Sequence, residues 1–229
     1  MSEAVLTDTG DVLSGGARGI VADFSADKQA FQVPWGKAMM WFFLLSDTFI
    51  FGTFLTGYMT VRMSVRDAWP VPSEVFALSF GGEPIPLILI AIMTFVLISS
   101  SGTMAMAVNM GYRGERNKAF WLMMATAAFG AMFVAMQVFE WTKLIEEGVR
   151  PWSNPMGAAQ FGATFFMITG FHGLHVSVGV IYLIVVGRRV KSGFYDRTRG
   201  NYEMVEITGL YWHFVDLVWV FIFAFFYLW

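Results

Sequence analysis

Hydrophobic residues in this chain neither alternate nor keep to one helical face; they run on without a charge. No Asp, Glu, Lys or Arg occurs from Pro84 to Tyr112, Ala119 to Phe139 or Pro151 to Gly187. Each run reaches or exceeds the roughly 20 residues with which an α-helix crosses a bilayer core. Ala38 to Val61 and Ile207 to Trp229 are equally apolar except for one acid each, Asp47 and Asp216. The pattern predicts an all-α fold: a polytopic membrane bundle of five transmembrane helices at about 38–61, 85–109, 119–143, 158–187 and 207–229. Trp35, Trp41, Tyr112, Trp121, Trp141, Trp152, Tyr211, Trp212, Tyr227 and Trp229 gather near the expected boundaries, as interfacial aromatic belts do.

Composition strengthens this reading. Of 229 residues, 56% are hydrophobic and only 14% charged, too apolar for a soluble domain. The basic residues also give the helices a direction. Arg18, Lys28, Lys37, Arg113, Arg116, Lys118, Arg188, Arg189, Lys191, Arg197 and Arg199 fall on one side, against Arg62, Arg66, Lys143 and Arg150 on the other. The positive-inside rule then sets the N-terminus in the cytoplasm and the C-terminus outside. Residues 1–34 lack a hydrophobic segment and read as a flexible cytoplasmic tail ahead of a membrane domain at 35–229. The long segment from Arg62 to Glu83, with Pro70, Pro72 and Gly81-Gly82, is expected as an outer loop. The absence of cysteine excludes thiolate ligands, disulfides and covalent haem attachment.

Ionisable groups within a membrane are costly, so each is a candidate site or a paired structural element. A rise of about 1.5 Å per residue puts Asp47 and Asp216 roughly 14 Å from the cytoplasmic end, His213 about 9 Å and His175 about 18 Å. His172 follows one turn further out, and Glu140 belongs to the outer interface. His172 and His175 share a helix face, as do His213 and Asp216, with Glu206 below them. Thr169, Gly173 and Ser177 form a ridge of small residues on which a neighbouring helix can pack. Three histidines and a carboxylate are just enough for zinc or iron. Spending all three on metal, however, leaves none to orient the others. The competing reading is a hydrogen-bonded seam in which the histidines satisfy the carboxylates, with proton buffering at part of it. The partner of Asp47 is open between His175 and His213, with His213 the working hypothesis because the two depths differ by only about 5 Å on the helical rise.

Four segments bring a resemblance into view. "FGATFFMITGFHGLHVSVGVIYL" (Phe161 to Leu183), "YWHFVDLVWVFIFAFFYLW" (Tyr211 to Trp229), "WFFLLSDTFIFGTFLTGY" (Trp41 to Tyr58) and "AMQVFEWTKLIEEG" (Ala135 to Gly148) together resemble subunit III of the haem-copper respiratory oxidases, in its five-helix bacterial form. The family's buried carboxylate falls on Asp47, where many members have Glu. Its outer glutamate falls on Glu140, its histidine pair on His172 and His175, its Trp-His-Phe-x-Asp on Trp212, His213, Phe214 and Asp216, and its acid entering the last helix on Glu206.

The resemblance implies a non-catalytic subunit of a proton-pumping oxidase in the bacterial cytoplasmic membrane. Oxidase subunits I and II and phospholipid are its implied partners, further respiratory complexes are candidate neighbours, and no nucleic acid is involved. Lipid-contact candidates are Trp35, Trp121, Arg188, Arg189 and Trp212. Haem and copper are expected in the partner subunits and no metal in this chain: the catalytic subunit needs six histidines where this chain has three, and subunit II needs two cysteines where it has none. An accessory protein of a nitric oxide reductase, an independent di-iron membrane enzyme and a proton channel are the alternatives, the second disfavoured by the low histidine count.

Overall fold

The computed structural model describes residues 34–65, 68–76, 78–80, 83–85, 87–197 and 202–229, with the backbone alone at 78–80, 83–85 and 196–197. The expected tail up to residue 33, the Gly81-Gly82 pair, and Arg18, Lys28, Arg66 and Arg199 lie outside these residues.

Five long apolar helices are present among the described residues: α1 (Trp35–Ser64), α3 (Ile88–Tyr112), α4 (Arg116–Glu146), α5 (Ala159–Lys191) and α7 (Glu203–Phe223). A π-helical turn, Ala224–Leu228, extends the last of them. Most ends lie beyond the expected bounds. A helix leaving the hydrocarbon need not stop there, and the added turns carry the polar residues that reach water, such as Lys37, Arg116 and Glu203. Short elements fill the connections: α2 (Pro72–Val75), α6 (Phe194–Arg197) and an antiparallel pair, β1 (Leu78–Phe80) with β2 (Glu83–Ile85).

α3 packs along α4 and α4 along α5, while α7 closes the bundle against α3, α5 and α1. Each spanning helix is apolar on all sides, so neighbours are chosen by fit and not by hydrophobicity, lipid being as apolar as leucine. Trp212 shows how. Its indole is only 1% exposed and donates from Nε1 to Ser100 Oγ on α3 at 2.8 Å. It wedges between Gly130 of α4 and Gly179 of α5. A Cβ on Gly130 would overlap the Trp212 ring and lie 2.8 Å from Val180 Cγ2, and one on Gly179 would come within 3.0 Å of the indole. Four helices thus meet at one side chain. The expected lipid contact at Trp212 is corrected accordingly, because its aromatic ring is a bundle wedge whose one polar atom is already bonded. The expected ridge at Thr169, Gly173 and Ser177 also divides, with Thr169 fully buried and the space beside Gly173 open.

The end of the bundle away from the start of α1 is closed by rings. Tyr58 lies 4.0 Å from Phe226 between centroids, and Phe76 4.4 Å from Tyr227, with Phe161 and Phe165 beside them. The connection after α1 is held down there as well: Ala158 N donates to Ala68 O at 3.1 Å. Gly157 (φ 142°) makes this approach possible, since a side chain there would run into the Ala68 carbonyl.

Candidate functional site

The polar groups expected in one layer fall into separate hydrogen-bonded clusters. Asp47 on α1 is buried, and its Oδ2 lies 3.2 Å from His175 Nε2 on α5. Of the two partners left open for Asp47, the structure brings His175 to it, and the hypothesis of His213 is corrected. Depth along the axis was a poor guide because α1 turns Asp47 toward α5, where Phe51 and Phe171 pack around His175. The other His175 nitrogen, Nδ1, is 2.8 Å from the Phe171 carbonyl oxygen. A carbonyl only accepts, so Nδ1 carries a proton. Asp47 Oδ2 then faces Nε2 as a close polar contact, without the alignment of a hydrogen bond. An acid and an imidazole set against each other make the burial of both more tolerable than that of either alone.

His172 points elsewhere. It is buried between Phe133 and Trp219, and its Nε2 donates to the Val215 carbonyl of α7 at 3.1 Å. The two histidines of "HGLH" thus serve different helices and do not converge. His213 uses Nδ1 to reach Ser101 Oγ on α3 at 3.0 Å, and the same hydroxyl lies 2.6 Å from Asp216 Oδ2. His213 and Asp216, one turn apart on α7, are joined through a serine of another helix. Ser100 and Ser101 escaped notice in the sequence because hydroxyls inside a helix usually bond to their own backbone.

Glu140 is 3% exposed and capped from both sides. Gln137 Nε2 donates to its Oε2 at 2.9 Å and the Tyr227 hydroxyl at 3.1 Å. Tyr227 makes this bond from within the π-helical turn. At the opposite end Glu206 takes both the Lys37 ammonium of α1 and the Tyr112 hydroxyl of α3, tying three helices at the membrane boundary.

Of the lipid-contact candidates, Trp35 is 72% and Trp121 67% exposed, and Arg188 and Arg189 lie open at the end of α5. Lys191 lies over the Phe120 ring at 4.6 Å, and Arg189 over Phe194 at 5.7 Å. Burial raises the nearby Tyr195 phenol from its ordinary value, with the hydrogen bond from Arg189 opposing.

No three His, Asp or Glu side chains come together as a metal group among the described residues. Every histidine already has a carboxylate, carbonyl or hydroxyl partner, and that donor set suits helix packing better than an ion.

Comparison with known proteins agrees with this geometry. Residues 22–229 match the family described as Cytochrome c oxidase subunit III. The chain belongs to this family. Similar relatives include a "Probable quinol oxidase subunit 3" of Staphylococcus aureus (strain USA300), 32% identical over 200 residues that cover 86% of this chain and 90% of the relative. Proteins of the same name from Staphylococcus epidermidis (strain RP62A) and Staphylococcus haemolyticus (strain JCSC1435) are each 30% identical, over 198 and 200 residues, covering 86% and 87% of this chain and 90% and 92% of theirs. The polypeptide is thus a subunit III of a haem-copper terminal oxidase, a multi-pass component of a membrane enzyme complex. Its polar clusters have to be understood as parts of such a subunit.

Proposed function

We propose that this subunit III sits beside oxidase subunits I and II with its N-terminus in the cytoplasm, stabilises the catalytic subunit, retains phospholipid and supports proton uptake. The observation that carries this reading is the Asp47–His175 pair: a buried carboxyl group and an imidazole 3.2 Å apart, with the remaining imidazole nitrogen committed to a backbone carbonyl. Such a pair can hold or release a proton inside the membrane without assembling a metal centre. Outward-facing Phe42, Phe49, Phe95, Ile181 and Leu217 supply wide apolar surface for lipid and neighbouring subunits. Trp35, Trp121, Arg188 and Arg189 would contact lipid at the boundaries, the arginines facing anionic headgroups on the cytoplasmic side. Haem and copper would reside in the partner subunits. The name shared by the relatives favours quinol as the electron donor of the complex.

The test is an oxidase complex assembled without this chain. The reading expects haem and copper to remain, with turnover that starts and then decays and with slowed proton uptake. Loss of the redox centres themselves would contradict it.

A further inference from the structure

A cavity of about 560 Å³ lies between α1 and α7, and the clusters described above account for only one edge of it. Trp41, Phe51, Phe214 and Phe221 give it aromatic walls, and no Asp, Glu, Lys or Arg lines it. Besides the Trp41 indole, two polar side chains reach it, Thr48 and His213. The Thr48 hydroxyl is spent on the Leu44 carbonyl at 2.8 Å. His213 is different: its Nδ1 is held by Ser101, while Nε2 has no protein partner among the described residues. Beside the donor-only indole of Trp41, the cavity therefore offers one imidazole nitrogen in an uncharged, ring-lined space, of the size that small-molecule sites occupy.

What that atom offers depends on the chain behind it. Ser101 Oγ has a single proton and lies between His213 Nδ1 and Asp216 Oδ2. With Asp216 ionised, the serine donates to it and must accept from Nδ1–H, so Nε2 presents a lone pair. With Asp216 protonated, both bonds reverse and Nε2 presents an N–H. The same edge can thus receive a hydroxyl or a carbonyl. We infer that this cavity binds a quinone-class amphiphile, a neutral ring on an apolar tail, whose hydroxyl or carbonyl oxygen meets His213 Nε2. The ligand class fits each feature: no charge where the wall has none, a flat ring among aromatic rings, and an oxygen that changes between donor and acceptor as the His213 edge does. Charged phospholipid headgroups fit none of these. The inference concerns binding and assigns no electron-transfer step. It rests on the chain's place in a membrane oxidase complex, which co-purification reads independently.

The experiment is photolabelling of the intact complex in lipid nanodiscs with an azido-substituted isoprenoid quinone, followed by peptide mapping of this chain. Adducts are expected on residues 41–55 and 210–221. A Cβ at Gly52, on the cavity wall, meets nothing within 4 Å, so Gly52→Phe has room to leave the backbone and should lower labelling at least tenfold. His213→Leu should lower it severalfold, and His213→Gln, whose amide both donates and accepts, should restore most of it. Unlabelled quinone should displace the probe from the wild-type complex where excess diacylglycerol does not. Adducts absent from these two segments, labelling indifferent to Gly52→Phe, or equal displacement by diacylglycerol would each overturn the inference. Should a variant fail to assemble, the displacement experiment on the wild-type complex decides alone.

Discussion

Replacing Gly130 by alanine tests the packing argument with a built-in control. Gly130 and Gly102 both lie inside long helices, on α4 and α3, so Gly→Ala brings each the same gain in helix propensity, about 1 kcal/mol at most. Their surroundings differ. A Cβ at Gly102 meets nothing within 4 Å, whereas one at Gly130 overlaps the Trp212 ring and lies 2.8 Å from Val180 Cγ2. Trp212 cannot retreat easily, because its far side rests on Gly179 and its nitrogen is bonded to Ser100. Forcing a methyl into such a seam costs about 1–3 kcal/mol. Gly102→Ala should therefore be neutral or slightly stabilising, and Gly130→Ala less stable than Gly102→Ala by about 1–3 kcal/mol. Gly179→Ala, with contacts at 3.0–3.1 Å, should fall between them. The assay is unfolding of the full chain in mild detergent by titration with sodium dodecyl sulfate, followed by tryptophan fluorescence. Gly130→Ala and Gly102→Ala agreeing within about 0.5 kcal/mol, the usual scatter for independent sites, would refute the wedge.

Other substitutions probe the polar clusters. Asp47→Asn can still donate to His175 Nε2 and should be tolerated, whereas Asp47→Leu leaves that nitrogen without a partner and should cost about 1–3 kcal/mol in the same titration. Tyr227→Phe removes one of the two bonds to Glu140 Oε2 and should cost about 1 kcal/mol, seen as a lowered thermal midpoint. The chain has no cysteine, so Ser192→Cys and Ser153→Cys give single reporters of sidedness: an impermeant maleimide added outside intact cells should label the second and spare the first, and the opposite result would reverse the proposed orientation. Arg188→Ala should reduce the anionic phospholipid that co-purifies with the complex, measured by lipid mass spectrometry, and unchanged lipid would remove this residue from the proposed contact.

How far the residues alone revealed the molecule depended on the kind of information each part needed. The five spans were legible because charge-free length is a one-dimensional property, and the membrane rewards it directly. Which side chains meet across helices was not. Asp47 went to His175 and not His213 because a pairing depends on how each helix is rotated, and helices that are apolar all round give no stripe from which to read that rotation. Trp212 looked like an interfacial anchor from its neighbours in sequence, yet it is the centre of the bundle. The signal that could have shown this was the pair of helix-interior glycines, Gly130 and Gly179, which leave room for an indole. Ser101 and Tyr227 are joined to their acids by a neighbouring helix and by a π-helical turn, and neither leaves a mark in the residue pattern.

The most direct test of the account is metal and haem analysis, with an optical spectrum, of the complex purified through this chain in mild detergent and of the chain then separated from it. The account predicts haem bands and copper in the complex and no stoichiometric metal on the separated chain, whose three histidines are occupied by Asp47, Val215 and Ser101. A metal retained by the separated chain in one-to-one ratio would contradict it and make His172 and His175 ligands after all.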